Sequence, residues 1–207
     1  MKKLFLALLG AVFATGYVVA QEHPKNIHGF RAGFNAAWVT SYGVSSSVKP
    51  AYMVGYSEQI SLNKHLPFYF ETGLNFISKG YKIKGYDNGE TTLNYLQLPV
   101  GINYHIYTGK HVTIQPAVGL YYAVGIGGKR DYAGKKVSVF KDGSTSRHDF
   151  GFSCGVGTSI HKFYFGIAYE MGLVNIDKKD VVYGNSNKIG YKKLKNKNVV
   201  IKVGINF

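Results

Sequence analysis

From about residue 28 onward, apolar and polar positions alternate with a period of two. Such a period belongs to strands with two unlike faces. Eight segments follow it. The first, about His28 to Thr40, sets Phe30, Phe34 and Trp38 against Arg31, Gly33 and Asn35. The second, about Ala51 to Leu62, sets Tyr52, Val54, Tyr56 and Ile60 against Gly55, Ser57 and Gln59. The third, about Pro67 to Ser78, opposes Phe68, Phe70, Leu74 and Phe76 to Tyr69, Glu71, Gly73 and Asn75. The fourth, about Leu93 to Tyr107, opposes Leu96, Leu98, Val100, Ile102 and Tyr104 to Gln97, Gly101, Asn103 and His105.

The fifth, about Val112 to Ile126, carries Ile114, Val118, Leu120, Tyr122 and Val124 opposite Gln115, Gly119, Tyr121 and Gly125. The sixth, about His148 to Ile160, carries Phe150, Phe152, Val156 and Ile160 opposite Asp149, Gly151, Ser153, Gly155 and Gly157. The seventh, about Lys162 to Leu173, carries Phe163, Phe165, Ile167, Tyr169 and Met171 opposite Tyr164, Gly166, Ala168 and Glu170. The eighth, Asn198 to Phe207, places Val199, Ile201, Val203, Ile205 and Phe207 on one face and Val200, Lys202, Gly204 and Asn206 on the other.

The connections alternate in length. Residues 63–66, 108–111 and 161–162 are tight, whereas 41–50, 79–92, 127–147 and 174–197 are long. Short periplasmic turns and long extracellular loops are the pattern of an outer-membrane barrel. The expected fold is all-β: an eight-stranded antiparallel up-and-down transmembrane β-barrel, with both ends of the barrel chain on the periplasmic side. The large apolar face suits lipid and the smaller polar face suits a narrow lumen, which eight strands leave just wide enough to be filled by side chains. Asn88-Gly89 and Asp142-Gly143 are expected to turn two-residue hairpins in the long loops.

The first residues support export. Lys2 and Lys3 precede the short apolar run Leu4 to Val12, and Val18-Val19-Ala20 is a small-residue cleavage site before Gln21. This predicts a signal peptide over 1–20 and a barrel domain over 21–207. No later segment approaches the roughly 18 continuous apolar residues of a membrane helix, whereas a barrel strand needs only about 9 to 11. The 26 Gly and 17 Tyr favour sheet. Cys154, the single cysteine, excludes an intrachain disulfide and falls on an apolar face as a small filler toward lipid. A soluble sheet has no reason to stop on an exposed aromatic, so Phe207 fits an interfacial girdle and an assembly signal read by the barrel-assembly machinery.

Charge enters next. The formal net charge is +14, and in an exported chain it points away from nucleic acid. Much of it sits in the long loops. Lys129, Arg130, Lys135 and Lys136 lie in the third, and Lys192, Lys193 and Lys195 in the fourth, set to meet lipopolysaccharide phosphates at the cell surface. The competing reading is a solvated, lysine-rich loop. Arg31, Glu71, Glu170 and Lys202 share the polar face on four strands and are expected to form a polar network that plugs the lumen. Glu58 breaks the alternation, since it falls with Tyr56 and Ile60. Either a bulge shifts the register, or its place near a tight turn lets it reach headgroups.

Catalysis is not expected. His148 and Asp149, near Ser144 and Ser146, are the nearest candidates, but adjacent strand residues point to opposite faces. The remaining histidines show no metal-ligand spacing, and no cofactor motif is present.

Lys79-Gly80-Tyr81, Tyr95-Leu96-Gln97-Leu98-Pro99, Ala168-Tyr169-Glu170-Met171-Gly172-Leu173 and the terminal Val203-Gly204-Ile205-Asn206-Phe207 stand in order along the chain. In order and spacing they resemble the PorT-like outer-membrane β-barrel family, of OmpA or OmpX size. The resemblance implies a small barrel in a Gram-negative envelope and carries over no functional residue. The expected role is non-enzymatic, in envelope structure or surface contact. The alternatives are an accessory of an outer-membrane secretion or assembly system and a soluble, lipocalin-like periplasmic barrel with its apolar face around a ligand.

Overall fold

The computed structural model describes residues 26–40, 46–63, 66–83, 89–108, 111–132, 135–141, 143, 145–177 and 193–207. The signal peptide expected over 1–20 lies outside them. Eight long strands form the wall: β1 (Asn26–Thr40), β2 (Lys49–Ser61), β3 (Phe68–Ile83), β4 (Glu90–Tyr104), β5 (Val112–Tyr132), β6 (His148–Ile160), β7 (Phe163–Gly172) and β8 (Lys195–Asn206). Each pairs antiparallel with its sequence neighbours. The ring closes where β8 pairs with β1, from Gly29 opposite Asn206 to Thr40 opposite Lys195. Closure satisfies the strand edges, which a span in hydrocarbon requires.

The alternation resolves with the apolar face outward. Phe30, Phe34, Leu98, Phe165 and Ile201 are exposed, while Arg31, Asn35, Gln97 and Glu170 are buried within the ring. The lipocalin-like alternative needs the reverse arrangement and is corrected by this orientation. Cys154 is exposed on the outer face. Outward aromatics gather near both rims. Phe68 and Tyr104 lie 4.8 Å apart by ring centroid at the short-turn end, and Trp38 lies 6.3 Å from Tyr169 toward the other.

The strands run further on the long-loop side than alternation indicates. β3 continues five residues past Ser78 to Ile83, and β5 reaches Tyr132, a length of 21 residues. Crossing the membrane takes about half of that. Beyond the hydrocarbon both faces meet water, so charges interrupt the pattern while the backbone ladder persists. One extra residue, Ile126, is accommodated where Asn94 pairs with Gly127 and Tyr95 with Gly125. Lys135–Ser138 folds back onto the end of β5. The turns expected at Asn88-Gly89 and Asp142-Gly143 include Asn88 and Asp142, which lie outside the described residues. At the other end β4 stops at Tyr104, and Ile106–Tyr107 pairs separately with Ile114 and Thr113.

The interior is layered. Toward the short-turn end it is polar: Gln59, Gln115, Ser159 and Asn206 are buried there. Toward the long-loop end an apolar layer of Val39, Met53, Ile77, Tyr81, Leu93, Tyr95, Val139, Phe140, Ile176 and Val200 packs across the lumen. Val139 and Phe140 come from the third loop. Gly125 leaves the room for Phe140, because a Cβ there would run into its ring.

Candidate functional site

Between the two layers lies a cluster of buried charges. Lys79 leaves β3 pointing inward with its side chain 1% exposed. Its Nζ lies 3.1 Å from Glu170 Oε2 and 3.6 Å from Asp149 Oδ2. The ammonium also sits over the Tyr121 ring at 4.0 Å and the Tyr95 ring at 5.9 Å. Gln97 donates to Glu170 Oε1 at 2.8 Å, and Asn196 donates to Asp149 Oδ2 at 2.9 Å. Asn198 reaches Glu170 at 3.4 Å, and the Tyr121 hydroxyl reaches Asp149 at 3.3 Å. A buried ion is tolerated when it is both paired and hydrogen-bonded. One ammonium here holds two carboxylates, Gln97, Asn198, Asn196 and Tyr121 bond three of their four oxygens, and Asp149 Oδ1 is buried with no hydrogen-bond partner.

Three sequence motifs that lie far apart along the chain meet in this cluster. Lys79 comes from the first, Tyr95 and Gln97 from the second and Glu170 from the third. Gly80 beside Lys79 has φ +149, and a Cβ there would run into the Thr91 carbonyl. The Lys49 stem passes beside it, and Lys49 Nζ donates to Thr92 Oγ1 at 2.7 Å and pairs with Glu90 at 3.3 Å. Tyr81 completes the motif as part of the apolar layer.

The four polar-face residues singled out by alternation divide between two levels. Glu170 belongs to the central cluster. Arg31 and Glu71 lie nearer the short turns. The Arg31 guanidinium stacks over Tyr164 at 4.0 Å and donates to Asn206 Oδ1 at 2.6 Å. Glu71 accepts from Asn103 and from Ser57, the latter at 3.3 Å. Lys202 stands opposite Gly33 on β1 and Gly166 on β7. It lines a cavity of about 60 Å³ with Glu71, Asn103, Ser153 and Tyr164, and makes no ion pair with Glu170 among the described residues. Two members of the central cluster, Lys79 and Asp149, are missed by that count. Lys79 looks like the first loop residue after a strand, and Asp149, although on the polar face of the sixth segment, stands at its very start beside His148.

His148 and Asp149 point to opposite faces. Asp149 is fully buried in the lumen, while His148 lies outside with its Nδ1 2.6 Å from the Tyr122 hydroxyl. Ser146 bonds the His148 backbone, and Ser144 lies outside the described residues. Among the described residues no group of three His, Cys, Asp or Glu is placed to hold a metal ion.

Of the basic residues, Lys129, Lys135, Lys136 and Lys193 are exposed at the long-loop end, and Lys195 is half-buried at the start of β8. Arg130 is drawn inward, with Nη2 3.4 Å from Thr145 Oγ1. Lys192 lies outside the described residues. Phe207 closes the opposite rim. It exchanges backbone hydrogen bonds with His28 at 2.9 and 3.2 Å, and its ring lies 6.0 Å from that of His28. Glu58 stands directly opposite His28 in an unbroken β1–β2 register, so no bulge displaces it and it sits on the outer face.

Among solved structures, OprG from Pseudomonas aeruginosa is similar at TM-score 0.53 and 15% identity, over 90% of this chain and 98% of that one. Ail of Yersinia pestis is similar at TM-score 0.47 and 12% identity, over 89% and 100% of the two chains. The Neisserial surface protein NspA gives TM-score 0.49 and 12% identity, over 87% and 97%. At 15% identity the likeness to OprG speaks to fold alone. Comparison with curated protein sequences finds no match. The sequence model of the outer membrane protein beta-barrel domain matches residues 19–178, from ahead of β1 through β7. The chain therefore belongs to the outer membrane protein beta-barrel domain family and is a protein of the outer membrane.

Proposed function

We propose that this protein is a non-enzymatic envelope barrel with a plugged lumen, whose basic outer end contacts the phosphates of lipopolysaccharide. The observation that carries the reading is the placement of exposed Lys129, Lys135, Lys136, Lys141 and Lys193 at the end where the long loops emerge. Short turns mark the periplasmic side of such a barrel, so this end faces outward. Among the described residues the acidic groups at this end are Glu90, engaged by Lys49 and Lys82, Asp131, opposite Lys136, and Asp177, bridged to Thr145. Lysines near an anionic surface contribute about 1 kcal/mol each, within a Debye length.

The plugged lumen rests on the Lys79 cluster and the apolar layer above it. Tyr95, Tyr121, Lys79 and Leu93 are fully buried across the bore. The finer PorT-like assignment is supported by the convergence of three of its four motifs on that cluster.

The test is binding of lipopolysaccharide to the detergent-solubilised barrel at low and high salt. Reversing Lys129, Lys135 and Lys136 to Glu is expected to weaken binding at low salt and flatten the salt dependence. Unchanged binding would leave these lysines as a solvated surface.

A further inference from the structure

The outer wall carries a carboxylate at its periplasmic rim. Glu58 projects from β2 with its side chain 20% exposed. The Tyr56 hydroxyl donates to its Oε2 at 2.6 Å, and His28 Nδ1 lies 2.6 Å from the same oxygen. These residues sit on the outer face at the periplasmic rim, the depth of inner-leaflet headgroups. Glu58 is a fixed carboxylate there, held by two neighbours and open on one side.

Beside this group an apolar groove of about 640 Å³ opens on the outer surface. Phe30, Phe207, Phe163 and Phe165 wall it, with Val203 and Ile205 between them. Its floor is Ala32 and the backbone at Gly204. Ala32 stands between Phe30 and Phe34 on the outward row of β1, so the small side chain leaves a hollow between two exposed rings. The polar and apolar parts are continuous. Phe207 stacks on His28, and Phe30 contacts both Tyr56 at 5.8 Å and Phe207 at 5.7 Å. From His28 to Ala32 the strand advances four residues, about 13 Å, toward the membrane centre.

We propose that this is a binding site for one phospholipid of the inner leaflet carrying an ammonium headgroup, such as phosphatidylethanolamine. The acyl chain lies in the groove over Ala32, and the ammonium meets the Glu58 carboxylate at the rim. Charge complementarity selects the headgroup, because an anionic lipid would face Glu58 with like charge. The hollow selects a chain lying along the wall, because an aromatic at position 32 would fill it. The site is on the opposite leaflet from the basic loops and stands independently of their role.

Native mass spectrometry of the detergent-extracted barrel tests this, with phosphatidylethanolamine and phosphatidylglycerol of identical chains in competition. Wild type is expected to retain phosphatidylethanolamine by about threefold over phosphatidylglycerol, the scale of one exposed ion pair. Glu58→Gln brings the two lipids to parity. Ala32→Phe lowers retention of both. Heat-modifiable gel migration confirms that each variant is folded, and both positions point away from the lumen. Equal retention by wild type, a preference for phosphatidylglycerol, or a preference that survives Glu58→Gln would overturn the proposal. A stable dimer covering this face in place of lipid would also overturn it.

Discussion

Lys79 and Glu170 meet across the bore of the barrel, from strands four apart in a ring of eight, with Nζ 3.1 Å from Oε2. Neither side chain is more than 4% exposed. Strands four apart in such a ring are diametrically opposed, so this one contact ties the two halves of the wall together.

Removing the cation is therefore expected to be costly. Lys79→Met leaves Glu170 and Asp149 buried without their counter-charge, a loss of about 3 to 5 kcal/mol. Urea unfolding in lipid vesicles measures it. The triple variant Lys79→Met, Asp149→Asn, Glu170→Gln is expected to recover much of the loss, since no buried charge then remains. Failure of the triple variant to improve on the single one would show that packing of the Lys79 stem dominates.

Neighbouring positions 148 and 149 should respond very differently. Asp149→Ala leaves Lys79 paired with Glu170 but strips the Tyr121 hydroxyl and Asn196 of their buried acceptor, and is expected to destabilise by about 2 to 3 kcal/mol. His148→Ala removes an outward contact with Tyr122 and is expected to change stability by less than about 1 kcal/mol. Equal effects in the same unfolding assay would contradict the separation of the two faces.

Phe140 lies over the outer end of the lumen, against Gly125 and under Arg147, whose guanidinium carbon is 5.2 Å from the ring. Phe140→Ala takes the ring away, and Gly125→Val displaces it. Both variants are expected to show small, flickering conductance in planar bilayers where wild type shows none. A large, stable wild-type channel would defeat the plugged reading, and Lys202→Ala serves as the comparison lower in the lumen.

Gly80 carries φ +149 beside the Thr91 carbonyl. An alanine there is strained in its backbone and has no space for its Cβ, a cost of about 1 to 3 kcal/mol. Lower yield of the heat-modifiable folded form and a lower unfolding midpoint are expected. Retention of the wild-type midpoint would show that the β3–β4 ladder relaxes at that position.

Trp38 is the single tryptophan, on the outer face beside Tyr169. Brominated lipids are expected to quench its fluorescence strongly in vesicles, with the strongest quenching from bromine placed near the headgroup region of the leaflet that meets the long loops. Weak quenching at every bromine depth would count against a wall facing lipid at that position.

The strands were legible because alternation is a local property. Phe163 to Met171 tells inward from outward by residue parity alone, and the structure keeps that parity. The ends of β3 and β5 were not legible, because outside the hydrocarbon neither face of a strand is obliged to be apolar. Glu58 shows the limit from the other side: its parity was right, and the exception was chemical, a carboxylate on the outer wall satisfied by His28 and Tyr56.

By itself the sequence determined eight strands, their two faces, the short and long connections and the basic character of the long-loop end, all of which follow from spacing and composition along the chain. The tertiary structure alone decided which lumen charges meet. Arg31, Glu71, Glu170 and Lys202 share a face, yet ring position and stagger put Glu170 with Lys79 and Asp149, and Arg31 with Tyr164 and Asn206. Those partners come from strands far apart in sequence. Only closure of the ring fixes the distances between them, and the strength of a buried pair depends on those distances.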